Sequence, residues 1–127
     1  MPDKSYELHG VRIFECAIEG SRIRDDLSAI DLIALAWEHR AEMVVLPVER
    51  LDDEFFDLST RIAGAIIQKF VNYRLSLAIL GDISQHARES SALRDFVFEA
   101  NRGDHVWFVA SSAELAERLG TRSKKRL

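Results

Sequence analysis

Cysteine is the scarcest feature of this sequence, since Cys16 stands alone among 127 residues. A single thiol forms no disulfide within the chain, which fits a reducing cytoplasm. The polar residues 1–10 lack the apolar segment of a signal peptide. No run approaches the ~18–20 apolar residues that a membrane span needs. These absences predict a soluble, cytoplasmic protein that does not contact a membrane.

Excess positive charge is also missing, because the formal net charge is −4 at pH 7. Such a chain has no general attraction to nucleic acid or to an anionic membrane. An apolar fraction of 47% and a charged fraction of 30% are typical of a globular domain. The length predicts one domain at residues 1–120, followed by a basic tail at 121–127 that we expect to be disordered.

Catalytic and metal-binding motifs are absent from the sequence as well. The four histidines (His9, His39, His86 and His105) do not have the spacing of metal ligands. There is no G-x-S-x-G segment and no phosphate-binding glycine loop. Cys16 has no neighbouring base, so we interpret it as a packing residue. We therefore expect a non-enzymatic protein without a metal or cofactor.

Apolar and amphipathic segments alternate along the chain. Gly10 lies between two short alternating runs and readily takes a positive φ, so a β-hairpin is expected there. Further elements are expected at 24–40 (helix), 43–48 (strand), 55–73 (helix), 75–80 (strand), 91–100 (helix, ended by Gly103 in the left-handed conformation), 105–110 (strand) and 113–119 (helix), with a polar loop at 82–89. This order predicts an α/β fold, a single mixed sheet with an N-terminal β-hairpin and right-handed β-α-β-α-β-α crossovers.

The helix expected at residues 24–40 has one continuous apolar face. Its apolar residues recur at helical spacing, which predicts that this face packs in the core. They are Leu27, Ile30, Ile33, Ala34, Trp37 and Ala41.

The helix expected at residues 55–73 is the most amphipathic segment. The face predicted for the core consists of Phe55, Ile62, Ile66, Phe70 and Tyr73. Gly64 lies at the edge of the opposite, polar side, where glycine costs ~1 kcal/mol relative to alanine. Either a neighbouring loop or a partner approaches closely at Gly64, or a small residue is simply tolerated there. The predicted interaction surface consists of Asp57, Thr60, Arg61, Gly64 and Gln68.

The blocks FFDLSTRIAGAIIQKFVNY, LAILGDIS, SALRDFVFEANRG and VWFV resemble a family known as domain of unknown function 4180. The order of elements also resembles the STAS domain of sulfate transporters and anti-sigma factor antagonists. In that family a strand and loop precede a helix start with a phosphorylatable serine. The resemblance implies Thr60 or Ser59 as phospho-acceptor, with Thr60 preferred if the helix starts early enough to turn Ser59 toward the core. A longer loop, Leu58 and Thr60 depart from the STAS motif.

Polar residues also follow the expected strands, where ligands of parallel sheets gather. Asp82 and Ser84 are candidates for a ligand or anion site, and Arg102 is a third candidate because a guanidinium holds anions well. Their alternative role is in turns and helix caps.

We expect a STAS-like regulatory or protein-interaction module of the cytoplasm with an unidentified protein partner. Two other functions stay open. One is a small-ligand sensor or small enzyme with a pocket at the C-terminal ends of the strands. The other is a structural homodimer.

Overall fold

The structure of the protein, a computed structural model, describes residues 3–125, and for residues 123–125 the backbone alone. The strands are β1 (Lys4–Leu8), β2 (Val11–Glu15), β3 (Met43–Pro47), β4 (Ser76–Leu80) and β5 (Val106–Val109). The helices are α1 (Asp26–Glu38), α2 (Asp53–Phe56), α3 (Ile62–Asn72), α4 (Ser84–Glu89), α5 (Ser91–Arg102) and α6 (Ser112–Lys125).

The strands form one mixed sheet in the order β1-β2-β3-β4-β5. β1 pairs antiparallel with β2, and every other neighbouring pair is parallel. His9 and Gly10 connect the hairpin with φ values of 50° and 80°, the positive values that a two-residue hairpin turn requires. The predicted α/β fold, with its N-terminal hairpin and parallel crossovers, is confirmed.

The two faces of the sheet are covered differently. Each crossover leads to the next strand in the same direction, so right-handed connections place α1, α3 and α5 on one face. That face packs Phe14, Leu77 and Phe108 into the larger core cluster. The other face packs Trp107 and its neighbours against Leu115 of α6. The protein is therefore a sheet with a layer of three main helices on one side and a single helix on the other.

The predicted core face of α1 is wrong. The buried residues of this helix are Ala29, Leu32, Ile33 and Ala36. Leu27 and Trp37 are 73% and 58% exposed. α1 is apolar around much of its circumference, so helical spacing alone does not determine which side meets the sheet.

The single helix predicted for residues 55–73 is also wrong, because the chain breaks it at residues 57–61. α2 ends at Phe56, a 3-10 turn covers Leu58–Thr60, and Arg61 takes the left-handed conformation (φ 65°) before α3 begins. The Asp57 side chain accepts a hydrogen bond from Ser59 N at 3.1 Å. Short polar side chains that bond to nearby backbone compete with the helix in this way.

Three further boundaries differ from the predictions. The loop predicted at residues 82–89 contains α4, and Gly103 ends α5 with extended backbone (φ −96°) instead of the left-handed conformation. α6 continues past Gly120 and includes residues 121–125, which the sequence assigned to a disordered tail. The rest of that predicted tail, residues 126–127, lies outside the described residues.

Candidate functional site

The residues of the predicted interaction surface lie on the outside of the protein. Asp57, Thr60, Arg61, Gly64 and Gln68 are all exposed. A Cβ atom built on Gly64 would meet no atom within 4 Å among the described residues. No neighbouring loop of the described chain therefore explains this glycine, and of the two reasons for a close approach only a partner is left.

Ser59 and Thr60 lie in the 3-10 turn that precedes α3. The Thr60 hydroxyl donates toward the carbonyl oxygens of Glu54 and Asp57, which are 2.9 Å and 2.8 Å away. The Ser59 hydroxyl donates to Asp57 Oδ1 at 2.7 Å. Ser59 is exposed, so the expectation that it turns toward the core is wrong. Both hydroxyls stabilise the turn and both are accessible from solvent.

A second apolar surface, which the sequence analysis assigned to the core, lies on the outside of α1. Leu27, Ile30, Ala34 and Trp37 follow one another at steps of three and four residues, and we call these four residues the α1 stripe. The rings of Trp37 and Tyr73 meet edge to face with centroids 6.3 Å apart. Tyr73 was also predicted to be buried, but it is 43% exposed.

These residues border an open groove of about 570 Å³ between α1 and the end of α3. An exposed apolar groove of this kind is a common mark of an interaction site. The signal in the sequence was the excess of apolar residues on α1, which carries more of them than one buried face needs.

A small cavity of about 250 Å³ lies at the carboxyl ends of β2, β3 and β4. Cys16, Pro47 and Gly81 contribute to its lining, whereas Asp82 and Ser84 do not. Burial raises the pKa of the Cys16 thiol to about 12, so the thiolate that would act as a nucleophile is scarce at neutral pH. The cavity can accept a small molecule, but Cys16 gives it no chemical reactivity.

The three predicted ligand residues are not brought together. Asp82 accepts a hydrogen bond from Ser84 N at 2.9 Å, which holds the pKa of its carboxyl group below the usual value and makes it a turn residue. Arg102 ends α5, which lies at the opposite edge of the sheet because the helices run antiparallel to the strands. Its guanidinium pairs with Glu99 Oε1 at 3.4 Å.

The described side chains show no arrangement for metal binding. His86 stacks on Phe56 with ring centroids 4.3 Å apart, and its Nε2 lies 3.8 Å from Asp53 Oδ1. Throughout residues 3–125, no three side chains of histidine, cysteine, aspartate or glutamate are placed to hold a metal ion. None of the helices in this range has the length and apolar character that a bilayer crossing requires.

Fold and surface together define a single α/β domain whose helical layer presents an exposed apolar stripe. The chain belongs to the family described as Domain of unknown function (DUF4180), whose sequence model matches residues 8–119. This match confirms the first resemblance found in the sequence. Neither the curated proteins nor the solved structures contain a match to the chain. The likeness to the STAS domain therefore stays a prediction.

Proposed function

We propose that this protein is a non-enzymatic, STAS-like regulatory and protein-interaction module of the cytoplasm. The observation that carries the proposal is the exposed α1 stripe, where Leu27 and Trp37 are more than half exposed. Arg61, Gly64 and Gln68 are exposed on α3, on the outside of the same helical layer. Together with the α1 stripe they form a surface that mixes apolar and polar side chains.

Energetics support this surface over others on the protein. Each Å² of apolar surface that a partner covers contributes roughly 25 cal/mol. Tryptophan, tyrosine and arginine are the side chains most often responsible for binding energy at interfaces. Trp37, Tyr73 and Arg61 place all three types on the outer side of α1 and α3.

The proposal is tested by cross-linking in a lysate of the native host, with the captured proteins identified by mass spectrometry. Trp37→Glu and Gly64→Leu change the proposed surface, and Phe98→Glu is the matched control. Phe98 is a similarly exposed aromatic residue (64%) on α5. We expect the first two variants to lose proteins that the wild type and the control both capture. An identical set of proteins from all four would overturn the proposal.

Phosphorylation of Thr60 or Ser59 would give such a module its regulation. A phosphate on Thr60 removes the proton that the hydroxyl donates to Glu54 and Asp57, and it adds negative charge beside Asp57. The turn before α3 would open as a result. Phosphosite mapping on protein from the native host tests this step, and unmodified Ser59 and Thr60 under all growth conditions would count against it.

The cavity at the strand ends favours a second candidate, a small-ligand sensor. Its volume of about 250 Å³ is slightly below the usual range for ligand pockets, so a ligand would be small. Fractionated metabolites should raise the melting temperature of the wild type but not of Ala17→Phe, which fills the cavity. Equal shifts in the two proteins would exclude binding there.

A further inference from the structure

We propose that the partner of the α1 stripe is a second copy of this chain, packed antiparallel about a twofold axis. The inference rests on the proposed function, because it names the occupant of that surface. Three properties of α1 lead to it: the order of large and small residues, the charges at its two ends, and the length of the stripe.

The order of residues makes the stripe complementary to itself. In an antiparallel pair with its axis at the middle of the stripe, Ile30 of one copy faces Ala34 of the other, and this contact occurs twice. A large side chain then meets a small one at the centre, which lets the two helices approach closely. Leu27 faces the second copy's Trp37 at both ends, and Tyr73 lies beside that Trp37.

The charges at the helix ends are complementary in the same arrangement. At about 100° per residue, Asp26 and Glu38 lie on opposite flanks of the stripe. Antiparallel packing brings Asp26 to the C-terminal end of the other α1, where Arg40 follows. It also brings Glu38 to the N-terminal end, where Arg24 precedes the helix. Each acidic residue thus meets a basic one, whereas a parallel pair would align like charges.

One residue opposes the pairing. Asp31 lies near the middle of α1 and is exposed on one flank of the stripe. The twofold axis brings it close to its own copy, and two like charges repel each other. The geometry therefore predicts that removing this charge strengthens the dimer, an effect that misfolding or nonspecific aggregation would not explain.

The length of the stripe indicates a weak dimer. From Leu27 to Trp37 it covers about 15 Å of helix axis. An interface of this length falls short of the ~800 Å² per partner that is usual for stable complexes. Dissociation is therefore expected in the micromolar range, where a cell could shift the balance by changing the protein's concentration.

Sedimentation equilibrium of the purified full chain tests the proposal, at concentrations from about 1 μM to about 500 μM. We expect the wild type to dimerise reversibly. Trp37→Glu should raise the dissociation constant at least about thirtyfold, whereas Phe98→Glu, on another helix, should leave it unchanged. Asp31→Asn should lower it. A monomeric wild type, or a dimer that Trp37→Glu does not weaken, would overturn the proposal.

A charge exchange tests the antiparallel orientation itself. Asp26→Arg alone and Arg40→Asp alone each place like charges together twice, and each should weaken its homodimer by about tenfold. In a mixture of the two variants, every such contact becomes attractive again. The mixture should therefore form heterodimers at close to wild-type affinity, as measured with one variant labelled. No recovery in the mixture would exclude this arrangement.

Failure of this inference can be told apart from failure of the proposed function. If the wild type is monomeric but the α1 stripe still captures an identified protein from the lysate, the second copy is excluded and the interaction module stands. If the protein neither dimerises nor captures proteins through this surface, both proposals fail.

Discussion

The side chain of Asn101 pairs with the backbone of Phe108 at the free edge of the sheet. Phe108 N donates to Asn101 Oδ1 at 2.7 Å, and Asn101 Nδ2 donates to the carbonyl oxygen of Phe108 at 3.3 Å. β5 is the last strand of the sheet, so the outward groups of Phe108 have no neighbouring strand. The amide of Asn101 takes the place of that strand and closes part of the edge, which otherwise invites pairing with another chain.

Replacing Asn101 should therefore cost more than replacing an exposed asparagine. We expect Asn101→Ala to lower the free energy of unfolding by ~1–3 kcal/mol, because both groups of Phe108 lose their partner. Asn72→Ala is the control, since Asn72 is exposed and only accepts a hydrogen bond from Gln68. It should change stability by less than about 0.5 kcal/mol. Urea unfolding of the two variants compares these costs, and equal costs would contradict the role of Asn101.

Two glycines should respond to alanine in opposite directions. At Gly64 a Cβ atom meets nothing, so Gly64→Ala should stabilise α3 by ~0.5–1 kcal/mol. At Gly81 the backbone has φ 143°, and a Cβ atom would lie 2.5 Å from Val48 Cγ2. Gly81→Ala should therefore destabilise the protein by on the order of 1–3 kcal/mol.

Thermal unfolding of both variants measures the two effects. The double variant Gly81→Ala with Val48→Ala removes the clash but keeps the positive φ, so it separates steric overlap from backbone strain. A Gly81→Ala protein as stable as the wild type would contradict the prediction.

The sequence predicted the sheet better than the surface. The strands were found because short apolar runs such as residues 43–48 fit only a strand covered on both faces. The outside of α1 was misassigned because the same spacing of Leu27 and Trp37 describes a core face and an interface equally well. The break before α3 was missed because it depends on hydrogen bonds of Asp57 and Thr60, which only a folded turn brings together.

Arg50 holds the loop between β2 and α1 by two hydrogen bonds. Its Nε donates to the carbonyl oxygen of Ser21 at 2.7 Å, and its Nη1 donates to that of Ala17 at 2.9 Å. Arg50→Met should destabilise the protein by about 1.5–3 kcal/mol, as expected for hydrogen bonds from a charged group. Arg50→Lys should restore only part of this, because an ammonium group lacks the planar fork of a guanidinium.

Hydrogen exchange locates the effect of Arg50→Met. Amides of residues 17–23 should exchange faster in this variant, because the loop also forms one wall of the cavity at the strand ends. Arg12→Met, a change of the same type at an exposed position of β2, should leave these amides unchanged. Slow exchange in both proteins would show that the loop does not depend on Arg50.

The buried thiol of Cys16 should make the protein less stable in alkaline solution. Its pKa is about 12 in the folded protein, mainly because of burial, against about 8.5 for a free cysteine. Below the lower value both states keep the proton and stability is unaffected. Above it the unfolded state loses the proton first, so the free energy of unfolding falls as the pH rises toward the higher value.

Urea unfolding between about pH 8 and about pH 10 tests this dependence, in a window that lies mostly below the titration of Tyr6, whose pKa burial also raises. Cys16→Ala should be less stable than the wild type at pH 8, since it leaves a small void in the core. The difference between the two proteins should shrink as the pH rises, by up to about 1.4 kcal/mol per pH unit. A constant difference would mean that the thiol titrates alike in both states, which its burial does not allow.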